Sequence, residues 1–136
     1  MKFYIFIFIV LIICCLVTDI ADGCKEEFFS MKTISTLKKG TKCHAYVTDC
    51  KGHVLFERRM KDCSSTCLVS KRDNIPANAS YCPHMVVHGK NGKKSGKTIK
   101  NVNKSGCFEV SGNSTNFKFR EIKCPKKIPE LCNDPQ

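Results

Sequence analysis

The sequence predicts an α+β fold, in which one short helix packs on a small antiparallel sheet and disulfide bonds add stability. Three observations predict it: a one-sided helical stripe between residues 56 and 67, strand-like stretches on both sides of that stripe, and 11 cysteines among 136 residues. A chain of this length builds only a small core. Each disulfide would therefore matter, at about 2–4 kcal/mol apiece.

The chain begins with a predicted secretory leader. Met1 and Lys2 precede an apolar run over residues 3–17, and small residues lie just before Cys24, which is the pattern of a signal peptide that ends at residue 23. The run is too short to span a bilayer, so no transmembrane segment is expected. We predict that residues 24–136 form one secreted, extracellular, monomeric domain.

Cysteine is abundant after the leader, where nine of the cysteines lie. In an oxidising compartment this number indicates a disulfide framework rather than metal ligands or nucleophiles. It allows four bridges and one unpaired thiol, and no metal or cofactor site is predicted. The residues leave the connectivity open. The cysteines predicted to form bridges are Cys43, Cys50, Cys63, Cys67, Cys82, Cys107, Cys124 and Cys132.

One amphipathic helix is predicted over residues 56–67. Its apolar face would carry Phe56, Met60, Cys63 and Cys67, whose spacing of i, i+4, i+7 and i+11 places them on one side of a helix. The opposite face is charged. This is the only helix that the sequence predicts with a clear periodic pattern.

Four strands are predicted around this helix, and the last two form a hairpin. The predicted strands cover residues 42–49, 85–88, 106–110 and 116–122. Residues 24–41 are interpreted as an N-terminal extension that precedes the core. Their apolar residues form a loose helical stripe made of Phe28, Met31, Ile34 and Leu37.

A lysine-rich loop is predicted over residues 89–105, and no acidic residue lies between Asp73 and Glu109. It is either a solvated, mobile connection or a surface that contacts a polyanion or an anionic host surface, where each lysine–phosphate contact releases a counterion. The candidate polyanion-binding residues are Lys90, Lys93, Lys94, Lys97, Lys100 and Lys104. Three glycosylation sequons also lie in expected loops, at Asn78, Asn103 and Asn113.

The stretch from Tyr46 to His84 resembles the plan of secreted fungal guanyl-specific ribonucleases. Tyr46 and Cys50 are similar to the opening strand of that family, Cys67 to its helix cysteine, and Tyr81-Cys82-Pro83-His84 to its tyrosine-proline-histidine motif. The similarity extends to powdery-mildew effectors that resemble these ribonucleases but have lost their catalytic residues. It implies a microbial ribonuclease-like core over residues 42–136, with a bridge from Cys50 to a cysteine near the C-terminus, Cys124 or Cys132.

The resemblance also implies catalytic roles. Tyr81 and His84 match the motif that holds the phosphate, Glu109 matches the glutamate that takes a proton from the ribose 2′-hydroxyl, and Arg120 matches a phosphate-binding arginine. The general acid of the family is missing, because no histidine follows His88. In addition, Tyr81 and His84 are three residues apart, so that in a strand they point to opposite faces.

The first function predicted is that of a secreted virulence effector of a plant-pathogenic fungus. It would bind a host protein, RNA or a cell-wall polymer such as chitin oligomers to suppress host defence, without cutting RNA. One alternative is a secreted hydrolase, either a ribonuclease or a chitin-oligomer-degrading enzyme that uses Glu109 and Glu121 as paired carboxylates. A further alternative is a disulfide-rich toxin or inhibitor.

Overall fold

Nine strands in two sheets make up the fold in the computed structural model, which describes residues 27–134. The predicted leader and Cys24 lie outside these residues. The strands are β1 (Phe28–Leu37), β2 (Lys42–Thr48), β3 (Val54–Glu57), β4 (Lys61–Asp62), β5 (Cys67–Pro76), β6 (Cys82–His88), β7 (Lys94–Thr98), β8 (Gly106–Gly112) and β9 (Phe117–Ile122).

The first sheet has the strand order β5-β1-β8-β9, and the second has the order β3-β2-β6-β7, with β4 pairing with β2. Strand β1 is antiparallel to β5 and parallel to β8, while the strand pairs of the second sheet are antiparallel. Alternate residues of each strand face inward. Met31 of β1 and Phe108 of β8 pack with Val47 of β2, and Val110 packs with Met85 of β6. The two sheets therefore form a sandwich around a shared core.

The predicted α+β fold is wrong, because the described residues contain no helix and are mostly strand. The segment over residues 56–67 instead contains the end of β3, the short β4 and a turn before β5. Its apparent helical stripe has a different origin: Cys63 and Cys67 are buried by their disulfide partners, while Phe56 is only half-buried on an edge strand. Ser64, Ser65 and Thr66 are also poor helix formers.

The loose helical stripe expected in the N-terminal extension is also wrong. The segment forms β1, which lies between β5 and β8 in the first sheet. Its inward positions include Thr33 and Ser35, which are 1% and 0% exposed, so small hydroxyl residues hide the period of two. Ser35 Oγ donates to Cys63 O at 2.6 Å and accepts from Leu37 N at 3.1 Å, which satisfies this buried hydroxyl.

The four predicted strands are confirmed as β2, β6, β8 and β9, and β8 and β9 form the expected hairpin. The lysine-rich segment differs from its prediction. Part of it forms β7, an exposed edge strand that pairs with β6. Lysines on an edge strand, here Lys94 and Lys97, also discourage pairing with other chains.

Four disulfides confirm the predicted set of bridged cysteines: Cys43–Cys63, Cys50–Cys82, Cys67–Cys132 and Cys107–Cys124. The bridge expected from Cys50 to Cys124 or Cys132 is wrong. Cys50 follows β2, and Cys82 begins the antiparallel neighbour β6, so that their Cα atoms lie 5.0 Å apart. Such cross-links are compatible with a secreted protein.

Within residues 27–134, no helix is long and apolar enough to cross a membrane.

Candidate functional site

Three turns come together at one end of the sandwich. They connect β1 to β2, β6 to β7 and β8 to β9. Lys38 N donates to Gly112 O at 2.9 Å, which joins the first turn to the third. The side chain of Lys90 lies across Gly40, and Ser114 lies against Gly89, so the second turn contacts both others.

The three turns enclose an open cavity of about 370 Å³. Lys38, Lys39 and Lys90 line it together with hydroxyl and amide side chains, and no acidic residue is among the described residues that form it. Lys93 ends the β6–β7 connection and Lys94 begins β7, and both are exposed. We call these residues, Lys38, Lys39, Lys90, Lys93 and Lys94, the lysine end. Ammonium groups that cluster without carboxylates produce a positive potential.

The turn between β8 and β9 is held by the side chain of Asn113. Its Oδ1 accepts hydrogen bonds from Thr115 N at 3.0 Å, Thr115 Oγ1 at 2.8 Å and Asn116 N at 2.7 Å. An Asx turn of this kind fixes a loop with its own side chain. The Asn113 side chain therefore has a structural role at the wall of the cavity.

The six lysines predicted to bind a polyanion do not form one surface. Only Lys90, Lys93 and Lys94 lie at the lysine end. Lys97 Nζ donates to Phe117 O at 2.5 Å and lies 5.1 Å from the centre of the Phe117 ring, so it joins the second sheet to the first.

The remaining two lysines of that set lie elsewhere. Lys104 Nζ pairs with Glu121 Oε1 at 2.8 Å. Lys100 lines a different cavity. Lys38 and Lys39 were not among the predicted binding residues, because their segment was predicted as a loose helix rather than as a strand followed by a turn. The run Lys38-Lys39-Gly40 between two strands is the pattern that could have indicated them.

The four residues given catalytic roles by resemblance do not form one site, and only Glu109 and Arg120 lie side by side. Tyr81 is fully buried in the core and donates from its hydroxyl to Lys104 O at 3.0 Å. Burial raises the pKa of Tyr81 to about 12, so the phenol stays neutral. His84 lies on the outer face of the second sheet, because its neighbours Pro83 and Met85 face the core.

Glu109 and Arg120 lie on the outer face of the first sheet, on the other side of the sandwich from His84. They are cross-strand partners, and Arg120 Nη2 lies 2.9 Å from Glu109 Oε2. Glu121 is paired in register with Phe108, which faces the core. Since directly paired residues share a face, Glu109 and Glu121 project from opposite faces of the sheet. The expected pair of carboxylates is thus not brought together.

The three sequons lie in connections between strands. Asn78 and Asn103 are exposed, whereas Asn113 is half-buried in the turn described above. Their glycosylation stays a prediction.

No family model, characterised protein or solved structure matches the chain. The resemblance to ribonuclease-like effectors therefore stays a prediction, and the fold that it implied is wrong. What the described residues define is a disulfide-rich, all-β sandwich with a cluster of lysines at one end.

Proposed function

We propose that the protein is a secreted binding protein that attaches to a polyanion through the lysine end. The observation that carries the proposal is the 370 Å³ cavity lined by Lys38, Lys39 and Lys90, to which no described carboxylate contributes. Ammonium groups, hydroxyls and amides are suited to phosphate or sulfate groups, which accept several hydrogen bonds at once. The ligand is thus a polymer with repeated phosphate or sulfate groups.

The overall charge supports this proposal. The chain has a formal net charge of +11, which attracts polyanions over a distance and accelerates association at low ionic strength. No aromatic side chain is among the described residues that line the cavity at the lysine end. Stacking on bases is therefore not part of the proposed contact, and recognition depends on the charged backbone of the polymer.

We also propose that the protein does not cut RNA. General acid–base catalysis needs groups within hydrogen-bond reach of the reacting atoms, whereas Tyr81 is in the core, and His84 and Glu109 lie on opposite outer faces. Binding without cleavage is consistent with the predicted role of a secreted effector that captures an extracellular polymer. Chitin is uncharged, so the lysine end gives no reason to expect chitin as the ligand.

The proposal is tested with two triple variants that remove the same charge. The test variant changes Lys38, Lys39 and Lys90 to alanine. The control variant changes Lys51, Lys123 and Lys126 to alanine. Binding to single-stranded RNA and to heparin is measured over a range of salt concentrations. Three lost phosphate contacts should reduce the slope of log K against log salt by about 2 units.

The control triple should retain most of the slope, because Lys51 and Lys123 belong to the opposite end of the strands. Equal weakening in both variants would mean that net charge alone drives binding and would overturn the assignment to the lysine end. The two polymers distinguish phosphate from sulfate as the preferred group. Hydrolysis of the RNA would overturn the proposal that the protein is not a nuclease.

A further inference from the structure

A second cavity, of about 440 Å³, opens at the other end of the second sheet. It lies where β2 ends, β6 begins and β7 ends, with the loops after β2 and β7 as its walls. We call it the histidine cavity, because it includes His84. Its size is that of a small-molecule pocket. None of the residues of the lysine end lines it.

A pair of stacked rings forms one side of the histidine cavity. Tyr46 and His84 are cross-strand partners whose ring centres are 4.3 Å apart, with an angle of 3° between the planes. Thr48 Oγ1 lies 2.9 Å from His84 Nε2, and Thr98 Oγ1 lies 2.7 Å from His84 Nδ1. Because both ring nitrogens are engaged, the imidazole cannot rotate freely. Burial lowers its pKa, which keeps the ring neutral at neutral pH.

The walls of the histidine cavity are held in an unusual conformation. Cys50 and Asn101 have φ angles of 63° and 57°, and they are the only non-glycine residues with positive φ within residues 27–134. Both line the cavity. Such backbone conformations cost free energy and persist where the surrounding structure holds them, often at binding sites. Here the Cys50–Cys82 disulfide and the bond from Asn101 N to Cys82 Sγ, 3.4 Å long, hold them.

The loop between β2 and β3 is also fixed by a carboxylate. Asp49 accepts hydrogen bonds from Lys51 N at 2.8 Å, His53 N at 3.1 Å and His53 Nδ1 at 2.7 Å. The bond from the His53 side chain lowers the pKa of Asp49 to about 2. The wall is thus shaped before any ligand arrives, which reduces the entropy lost on binding.

The lining combines one cation with an apolar patch. Lys100 forms no ion pair with a carboxylate of residues 27–134, and its side chain is exposed. Val54, which also lines the cavity from the β3 edge of the sheet, is 57% exposed, and the Cys50–Cys82 disulfide adds further apolar surface. The hydroxyl of Tyr46 is a further polar group. A fitting ligand therefore has a ring-sized body with a weakly polar face, hydroxyl groups and one negative charge.

We infer that the histidine cavity binds a single acidic sugar unit, such as a hexuronate. Its anionic group would pair with Lys100, and its ring would contact Val54 and the Tyr46–His84 pair. Aromatic rings and aliphatic side chains commonly pack against the C–H groups of a small ligand, while a few polar groups fix its orientation. This inference goes beyond polyanion binding at the lysine end and does not depend on it.

The test is an NMR titration of the whole protein with galacturonate, and with glucose and acetate as separate probes. Galacturonate should shift the signals of His84, Lys100 and Val54. Glucose and acetate should shift them less at the same concentration, because glucose lacks the charge and acetate lacks the ring. Both controls should bind at least about tenfold more weakly, because glucose loses the charge-assisted contact with Lys100 and acetate loses the contacts of the ring with the cavity wall. Lys100→Ala should weaken the binding of galacturonate by a similar factor.

Lys39→Ala is the matched control, because it removes one lysine from the other end. It should leave galacturonate binding unchanged, while Lys100→Ala should leave binding of RNA, which contains no uronate, largely intact. Equal binding of all three probes, no binding of galacturonate, or shifts spread over the lysines of both ends would each overturn the inference. These results are separate from the salt-dependence test, so either proposal can fail alone.

Discussion

The two ends of the sandwich are built in different ways. The lysine end consists of three tight turns, which carry Lys38, Lys39 and Lys90. The opposite end contains the Cys50–Cys82 and Cys107–Cys124 disulfides, together with Cys50 and Asn101, the two non-glycine residues that have positive φ within residues 27–134. Attraction between charges needs little precise geometry and weakens with salt. Recognition of a small ligand needs fixed walls. The contrast is consistent with the two proposals, in which the lysine end recognises charge and the histidine cavity recognises the shape of a small ligand.

The largest expected effect comes from removing the cross-link at the histidine cavity. Changing both Cys50 and Cys82 to alanine should lower the free energy of unfolding by about 3–4 kcal/mol, because the bridge closes a loop of 32 residues. Urea unfolding measures the loss. The same variant, at a temperature where it is folded, should lose galacturonate binding and keep RNA binding. Loss of both would show that the two ends are not independent.

Two glycines with the same backbone angle compare the ends directly. Gly112, near the lysine end, and Gly52, near the histidine cavity, both have φ of 109°. An alanine Cβ at position 112 would lie 2.5 Å from Asn116 O, whereas at position 52 nothing lies within 4 Å. Gly52→Ala should cost about 1–2 kcal/mol from the backbone angle alone. Gly112→Ala should cost about 3 kcal/mol, since the overlap is with backbone.

Thermal or urea unfolding of both variants checks the order of these costs. An equal cost at the two positions would mean that the β8–β9 turn can move to accept a side chain. The turn would then be less fixed than its hydrogen bonds to Asn113 indicate.

A substitution in the core between the two ends should alter stability without altering the binding of either RNA or galacturonate. Thr33 Oγ1 is buried without a hydrogen-bond partner. Thr33→Val removes this unpaired hydroxyl at nearly constant volume, so we expect the free energy of unfolding to rise by about 1 kcal/mol. Urea unfolding measures the gain. A loss instead would indicate that the hydroxyl has a partner, such as a buried water.

The sequence predicted four strands whose inward residues are apolar, which are β2, β6, β8 and β9. It missed β1, several of whose inward residues are polar, together with β3, β4, β5 and β7. Residues 42–48 and 117–122 alternate visibly, and they form β2 and β9. In β1 the inward Thr33 and Ser35 hide the alternation. Cys63 and Cys67 led to the prediction of a helix that does not form, because a disulfide buries a cysteine whatever the local structure is. The spacing of these two buried cysteines therefore comes from their disulfides and not from the face of a helix.

The candidate sites depend on topology, which the sequence alone does not give. Lys38 and Lys90 come together because the β1–β2 and β6–β7 turns lie at the same end. The opposite orientations of Tyr81 and His84, in contrast, follow from their separation of three residues in extended chain. Spacing within one strand was therefore informative, whereas grouping by sequence proximity wrongly joined Lys97, Lys100 and Lys104 to Lys90.

The final prediction concerns pH, and it compares one histidine from each end of β6. Burial lowers the pKa of His84 at the histidine cavity, and it lowers the pKa of His88 beside the lysine end, where His44 and Lys94 add to the effect. On acidification below about pH 6.5 the unfolded chain binds protons first. Stability should therefore fall as the pH drops from that value through the lowered pKa values of the folded protein.

Urea unfolding at about pH 7.5 and pH 5 measures this loss in a range where carboxylates contribute little. His84→Gln and His88→Gln should each make stability less dependent on pH, because each removes one group whose protonation favours the unfolded chain. Stability that rises toward pH 5 would contradict the burial of both rings. An effect of His88→Gln alone would mean that the neighbouring Lys94 and His44, rather than burial, govern the pH response. The histidine cavity would then be more open to water than the hydrogen bonds of His84 to Thr48 and Thr98 imply.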